Sequence, residues 1–263
     1  MHKIACMGDN CVDYYDAAGE MHFGGNPVNV AVYCARLGHE ASYIGAVGDD
    51  SFGLGMRQAI SGRQVDVSHL HTQAGSTALT HVSIVDGDRV FGEYDEGVME
   101  DFHLSDEDVA FIKGHELAVS GLWGHCQDRL QELRGAGVYT AFDCSDRPED
   151  PIALEAIPGA DIIFFSDDSS SDEQLRGRIE NIAALGTPLI VLATRGVKGS
   201  LAWDGSRFYE YGIHPCPVVD TMGAGDSYIA GFLCAWLDKK PVKECMEAGA
   251  MSSAQTLVYA GAW

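Results

Sequence analysis

In 220-DTMGAGDSYIAGF-232 a Gly-Ala-Gly turn runs straight into an acid, Asp226, and then into Ile229, Ala230, Leu233 and Trp236 at helical spacing. Glycine lets the backbone bend there without a Cβ clash. The N–H groups of residues 223–226 are then left free at a helix start, backed by the helix dipole. Such a turn attracts anions, yet Asp226 supplies an anion of its own. A carboxylate so placed can take a proton from an incoming hydroxyl, while the amides of Gly223, Ala224 and Gly225 stabilise charge on a transferring phosphoryl group. The turn alone also admits a plainer role, that of a first-turn acid complementing the dipole.

A second glycine turn, 194-TRGVKG-199, follows the apolar run PLIVLAT (188–194). It permits close backbone approach to a ligand, and Arg195 and Lys198 add positive charge; it equally suits an ordinary turn into the SLAWDG run. Other phosphate motifs are excluded. The chain has no G-x-x-x-x-G-K-[ST], and Gly53-Leu54-Gly55 meets Gln58 where a dinucleotide fingerprint needs its third glycine. The acidic stretch 93-EYDEGVMED-101 can pair with a substrate ammonium or be a solvated lid edge. Arg89 can take a carboxylate bidentately or stay on the surface. Trp123 and His125 follow a strand and can wall a pocket.

Positioning these groups falls to buried strands and amphipathic helices. The runs KIACMG (3–8), ASYIGAV (41–47), ELAVSG (116–121), VYTAFD (138–143), DIIFFS (161–166) and PLIVLAT are mostly continuously apolar. That pattern predicts strands covered on both faces of a parallel sheet. Helices are predicted over 26–38, with Asn26 as cap and Pro27 at the first position, and over 105–114, opened by a capping box at Ser105. Two more are predicted from 223 to Trp236 and across 241–258. The fold class is α/β with a mainly parallel sheet. Residues 76–95 break the rhythm as two β runs around Asp86-Gly87. With 14–23 they predict a small separate β-sheet, either a flap over the ligand cleft or an edge hairpin. The whole, 1–263, is expected to be a single domain.

A net charge of −22 argues against nucleic acid and anionic membrane as partners. A local phosphate site with Mg²⁺ and backbone dipoles survives it, and it favours a cationic small molecule. The eight cysteines form no CxxC pair, and Cys6, Cys34 and Cys234 sit in apolar runs. Reduced, buried thiols in a cytoplasmic protein are expected. No apolar run approaches the ~18 residues of a membrane span, and the N-terminus has no signal-peptide core.

Three segments carry a resemblance. The turn 220–232, the stretch 24-GGNPVNVAVYCARLG-38 with 45-GAVGDDSFG-53, and Gly8 to Asp13 as G-x-x-x-x-D resemble the signatures of the ribokinase (PfkB) carbohydrate kinases, in order and over nearly the whole chain. DNCVD, 89-RVFGEYDEGVM-99 and the Gly-Ala-Trp end are similar to the branch acting on fructosyl-amino acids. The resemblance implies a ribokinase-like three-layer fold with a small β-sheet lid, and an ATP- and Mg²⁺-dependent kinase acting on the primary 6-hydroxyl of a fructosamine such as fructoselysine. A kinase for another sugar or a nucleoside, or a non-catalytic binding module, are the alternatives. Asp226 becomes the catalytic base and the amides of 223–225 the anion hole. Asp13, Gly25 and Asn29, with Asn26 at a variable position, face the sugar. Thr194, Gly196 and Gly199 contact the nucleotide. Departures are visible too. The Asn-x-x-Glu that organises Mg²⁺ is replaced by 166-SDDSSSDE-173, where Asp167 or Asp168 can substitute. Many relatives continue after the last helix and complete a monovalent-cation site, to which Asp220 would contribute. Asp143, in 143-DCSDR-147, matches only part of a family pattern. A homodimer through the exposed lid edges is admitted.

Overall fold

The structure, a computed structural model, describes the backbone of residues 1–15, 19–85 and 88–263, and the side chains within them except at 82–91. The elements in chain order are β1 (Lys3–Met7), β2 (Cys11–Tyr15), β3 (Glu20–Gly24), α1 (Asn26–Arg36), β4 (Glu40–Gly48), α2 (Ser51–Ser61), β5 (Leu70–Gln73), β6 (Leu79–Val85) and β7 (Asp88–Asp95). They continue with α3 (Asp106–Ile112), β8 (Leu117–Gly121), α4 (Leu130–Gly135), β9 (Tyr139–Asp143), α5 (Pro151–Ala156), β10 (Ile162–Ser166) and α6 (Asp172–Ala183). The last are β11 (Ile190–Thr194), β12 (Ser200–Trp203), β13 (Phe208–Tyr211), α7 (Ala224–Leu237) and α8 (Val242–Thr256).

Nine strands form the main sheet in the order β13-β12-β11-β10-β9-β8-β1-β4-β5. Pairing is parallel from β5 to β11 and antiparallel only at β11–β12 and β12–β13. The apolar runs explain this: each strand alternates its side chains between two covered faces. Ile4, Cys6, Leu117, Val119, Ile162 and Phe164 turn to one face, beneath α1, α2, α7 and α8. Ala5, Met7, Ala118, Ile163 and Phe165 turn to the other, beneath α3 to α6. Phe232 of α7 meets Phe164 edge-on at 5.5 Å, seating that helix on the sheet. The result is the expected three-layer α/β architecture.

A separate four-stranded sheet has the order β3-β2-β6-β7. Both hairpins, β2–β3 and β6–β7, are antiparallel, and β2 joins β6 in parallel register. It is the small sheet expected from 14–23 and 76–95, with β2 beginning earlier, at Cys11; its turn at Asp86-Gly87 lies outside the described residues. The predicted capping box is made, with Ser105 and Asp108 bonding each other's backbone. Cys6, Cys34 and Cys234 are buried and all eight cysteines are free thiols. No helix among the described residues is long and apolar enough to cross a membrane.

One sequence expectation needs correction. Gly25, not Asn26, caps α1, and Asn26 makes no cap bond because its amide is drawn to carboxylates outside the helix. Val218 and Val219, just before the glycine turn, are exposed, and the backbone of Val219 donates to Leu257 O at 2.8 Å.

Candidate active site

Asn26 and Asn29 are three residues apart in the first turn of α1, so their amides share one face of the helix. That face meets the first turn of α7. Asn26 Nδ2 donates to Asp226 Oδ1 at 2.7 Å and Asn29 Nδ2 donates to Asp226 Oδ2 at 2.7 Å. Each oxygen of the carboxylate thus has its own amide. Asn26 Nδ2 also donates to Asp143 Oδ2 at 2.8 Å, at the end of β9, and the Asn26 backbone N–H donates to Asp9 Oδ2 at 3.1 Å, beyond the end of β1. The tight approach of α1 to β1 needs a glycine. Gly25 has φ 109°, and a Cβ there would lie 2.6 Å from Asn10 Cα and 2.7 Å from Asp9 O.

Three carboxylates therefore converge at the C-terminal ends of the strands, where open α/β sheets bind ligands. Burial pushes Asp226 and Asp9 up to about 6 and Asp143 up to about 7. Repulsion from Asp226 adds to the rise of Asp143 and Asp9, while the amides of Asn29 and Asn26 hold Asp226 down. Asp226 is thus a carboxylate poised close to neutral pH, the range that suits a general base. Among the described residues the buried Asp9 Oδ1, Asn10 Oδ1 and Asn26 Oδ1 receive no hydrogen bond. Such acceptors are costly unless a ligand hydroxyl serves them.

The turn before α7 is held from three sides. Gly223 caps the helix with φ 71° and ψ 3°, and a Cβ on it would lie 2.7 Å from Tyr33 Oη. Ser227 Oγ and Ser253 Oγ each donate to Ala224 O at 3.0 Å. The Ala224 N–H, expected to be free, closes on Thr221 O at 3.2 Å. Among the described residues no carbonyl outside the helix takes the N–H groups of Gly225 and Asp226, the usual condition of a helix's first turn.

Beside that turn lies a cleft of about 490 Å³ lined by Thr194, Gly196, Gly199, Ala224, Gly225 and Tyr228, with apolar walls that include Ile213 and Leu257. A Cβ at Gly225 would meet no atom within 4 Å, so the floor stays open to a bulky anion. The two glycine turns thus share one cavity. Arg195 and Lys198 do not point freely into it: Arg195 pairs with Asp172, and Lys198 Nζ donates to Asp168 O at 2.7 Å.

The acidic loop after β10 divides into two roles. Asp167 is buried, accepts from Ser170 Oγ at 2.7 Å and Arg178 Nη1 at 2.8 Å, and is held down to about 2 despite its burial. That ion pair removes it as a substitute for the absent glutamate. Asp168 is exposed, and its Cβ stands 4.0 Å from the position a Cβ on Gly196 would take.

Asp220 Oδ1 accepts from Met222 N at 3.0 Å and its Oδ2 from Gly261 N at 2.8 Å. Asp13 lies on β2 of the small sheet, opposite His22 on one side and Thr80 on the other. Arg89 belongs to β7, with a side chain outside the described residues. His125 Nε2 is 3.0 Å from Glu96 Oε2, tying the loop after β8 to the acidic stretch.

Sequence reasoning missed several residues. Trp263 Nε1 donates to Asn29 Oδ1 at 2.7 Å, which turns the amide so that Nδ2 faces Asp226. Tyr33 Oη donates to Ala262 O, holding the segment that carries Trp263. These pairs are more than 200 positions apart, and no local pattern announces them. Asp9 and Asn10 carried a usable signal, as polar residues directly after a buried strand.

The match to the model of "pfkB family carbohydrate kinase" spans residues 2–262. The fructoselysine 6-kinase of Escherichia coli (strain K12) is 44% identical over 263 residues, covering 100% of both chains. The fructosamine kinase FrlD of Bacillus subtilis (strain 168) is 32% identical over 99% of this chain and 93% of its own. The structure of Arabidopsis thaliana ribokinase complexed with ribose and ATP superposes with a TM-score of 0.87 at 21% identity, covering 98% of this chain and 93% of that one. The chain belongs to the pfkB family of carbohydrate kinases.

Proposed function

We propose that this kinase transfers the γ-phosphoryl group of ATP to the primary 6-hydroxyl of a fructosamine such as fructoselysine. The observation that carries the chemistry is Asp226, gripped by Asn26 and Asn29 and set directly after the amides that border the cleft. Asp226 accepts the hydroxyl proton as the oxygen forms its bond to the γ-phosphorus, and the bond to the ADP oxygen breaks. The N–H groups of Gly225 and Asp226, next to Gly223 and Ala224, face the charge that develops on the phosphoryl oxygens. Thr194, Gly196 and Gly199 take the nucleotide.

The cleft fits a nucleotide because its glycine floor is open and its walls are apolar. Asp168 is the acid that would hold Mg²⁺ beside it; when bound, Mg²⁺ neutralises phosphate charge. Asp13, Gly25, Asn26 and Asn29 bind the sugar in this reading, under a lid made of the four-stranded sheet, with the rest of 1–263 as a single domain. Asp9 and Asn10 join them, since their unserved buried oxygens suit sugar hydroxyls.

The substrate assignment rests on full-length similarity to kinases named for fructoselysine and fructosamine. It also has a physical correlate. A pocket of about 460 Å³ on the small sheet is lined by His81, Glu93, Tyr94, Asp95, Glu96 and Glu100, a setting for the substrate's ammonium. Arg89 is the partner for its carboxylate. Asp220 carries the expectation of a monovalent cation, which would have to share oxygens that already anchor Met222 and Gly261. Eight free thiols suit a cytoplasmic location. The outer strands β3 and β7 offer edges for a homodimer.

The test is ADP release over a panel of fructosyl-amino acids, fructose, other sugars and nucleosides, with the product's phosphate placed by NMR. The highest kcat/KM is expected for fructosyl-amino acids, phosphorylated at C6. A higher kcat/KM for fructose or a nucleoside refutes the substrate; binding without turnover on any of them refutes the kinase. Asp226→Asn is expected to lower kcat by about 100-fold or more, and retention of a tenth of the activity removes Asp226 as base.

A further inference from the structure

Away from the cleft, at the outer edge of the main sheet, two imidazoles and a carboxylate share one point. His69 lies in the turn just before β5 and His71 is the second residue of that strand, so the chain presents the two rings close together. They face Asp108 in the first turn of α3. Asp108 Oδ1 lies 2.7 Å from His69 Nδ1 and 2.9 Å from His71 Nε2, and the three atoms all lie within 4.8 Å of one another.

What surrounds them fixes their aim. Asp108 is 1% exposed and its other oxygen, Oδ2, accepts from Ser105 N at 3.0 Å and Ser105 Oγ at 2.6 Å. The capping box of α3 therefore clamps one carboxylate oxygen and presents the other to the imidazoles. His69 is stacked on Phe111, with ring centroids 3.9 Å apart and planes 17° from parallel. The His71 side chain is 42% exposed, so water reaches the open side of the group.

We propose that His69 Nδ1, His71 Nε2 and Asp108 Oδ1 form a binding site for a divalent transition metal of the zinc class. Two neutral imidazoles and one carboxylate are a donor set that suits Zn²⁺ and its neighbours, whereas Mg²⁺ prefers oxygen alone. Zn²⁺ reaches nitrogen and carboxylate oxygen at about 2.0–2.2 Å, so a small separation of the three atoms admits it, with water completing the shell. The ion takes the place of the two N–H···O bonds. Each ring then keeps its proton on the other nitrogen, Nε2 of His69 and Nδ1 of His71, and no redox change is involved. The buried, oriented carboxylate is the kind of support that holds ligands in place. Bound metal would staple β5 to α3, where the chain returns from the small sheet to the main one. The site lies outside the cleft residues and is independent of the proposed substrate.

The test uses the full chain, stripped with EDTA and passed over a chelating resin. ZnCl₂ is titrated in, bound metal is counted by mass spectrometry, and thermal unfolding is followed with ZnCl₂ or MgCl₂. Wild type is expected to hold one Zn²⁺ per chain with micromolar or tighter affinity and to gain several degrees in Tm, with no gain from MgCl₂. His71→Ala, at an accessible position, and His69→Gln are expected to fold and to lose both effects. Co²⁺ in place of Zn²⁺ is expected to give a visible spectrum free of a thiolate charge-transfer band. The proposal is overturned if wild type retains no Zn²⁺, if both variants retain as much as wild type, or if the Co²⁺ spectrum reports thiolate. In the first case the three residues are a hydrogen-bonded staple only.

Discussion

Replacing Asn29 by leucine removes one of the two amides that hold the Asp226 carboxylate and leaves Asn26 in place. A hydrogen bond to a charged group contributes about 1.5–3 kcal/mol, and about 1.4 kcal/mol corresponds to one pH unit of ionisation. Asp226 ionises at about 6 in the native site, so the variant is expected to ionise at about 7–8. A base works only when deprotonated, so activity falls as pH drops through that value. At pH 7 the wild type has about nine-tenths of Asp226, the proposed base, ionised, and Asn29→Leu about a tenth to a half. Its kcat/KM at pH 7 is therefore expected about 2- to 9-fold lower, from ionisation alone. The diagnostic feature is recovery. In a profile of kcat/KM from acid to alkaline pH, measured by ADP release at saturating ATP, the loss should shrink towards about pH 9. Any lost sugar contact lowers the whole curve equally and leaves its shape alone. An acid limb that does not move, or a loss that is the same at every pH, refutes the role of Asn29 in setting the base.

Three further outcomes follow from the same geometry. Trp263→Phe removes the donor that orients Asn29; its acid limb is expected between those of wild type and Asn29→Leu, with Km for ATP unchanged. Gly223→Ala places a Cβ 2.7 Å from Tyr33 Oη at φ 71°; the left-handed conformation alone costs about 1–2 kcal/mol, so a lower urea midpoint and a lower kcat are expected together. Asp143 titrates at about 7 in the fold, up from 3.8, so its ionisation opposes folding. The stability it contributes is full below about pH 4 and is lost as pH rises through about 7. Asp143→Asn is accordingly expected to be more stable than wild type at pH 8, on the order of 1–3 kcal/mol by denaturant unfolding, with no gain at pH 4.

The chain's linear order was enough to place the sheet and the glycine turn before α7. Buried parallel strands read as unbroken apolar runs, and all six proposed runs are strands of the main sheet. The glycine-acid turn was legible because each of its parts acts within a few residues: glycine conformation, helix dipole, first-turn carboxylate. The capping box at Ser105 was legible for the same reason. What the sequence left open were contacts whose energy depends on distant partners. Asn26 looks like a helix cap, the usual local use of its amide. In the fold its amide lies within reach of Asp143 and Asp226, and two charge-assisted bonds outweigh one cap bond. Asp167 looks like a metal ligand until Arg178 is found 2.8 Å away. The reach of Trp263 to Asn29, and of two histidines to Asp108, has no local signature either. Asp226 itself shows the division. Its residue type and its place after a glycine turn come from the sequence, while only packing of α1 on α7 and burial among other carboxylates set its ionisation near neutral pH.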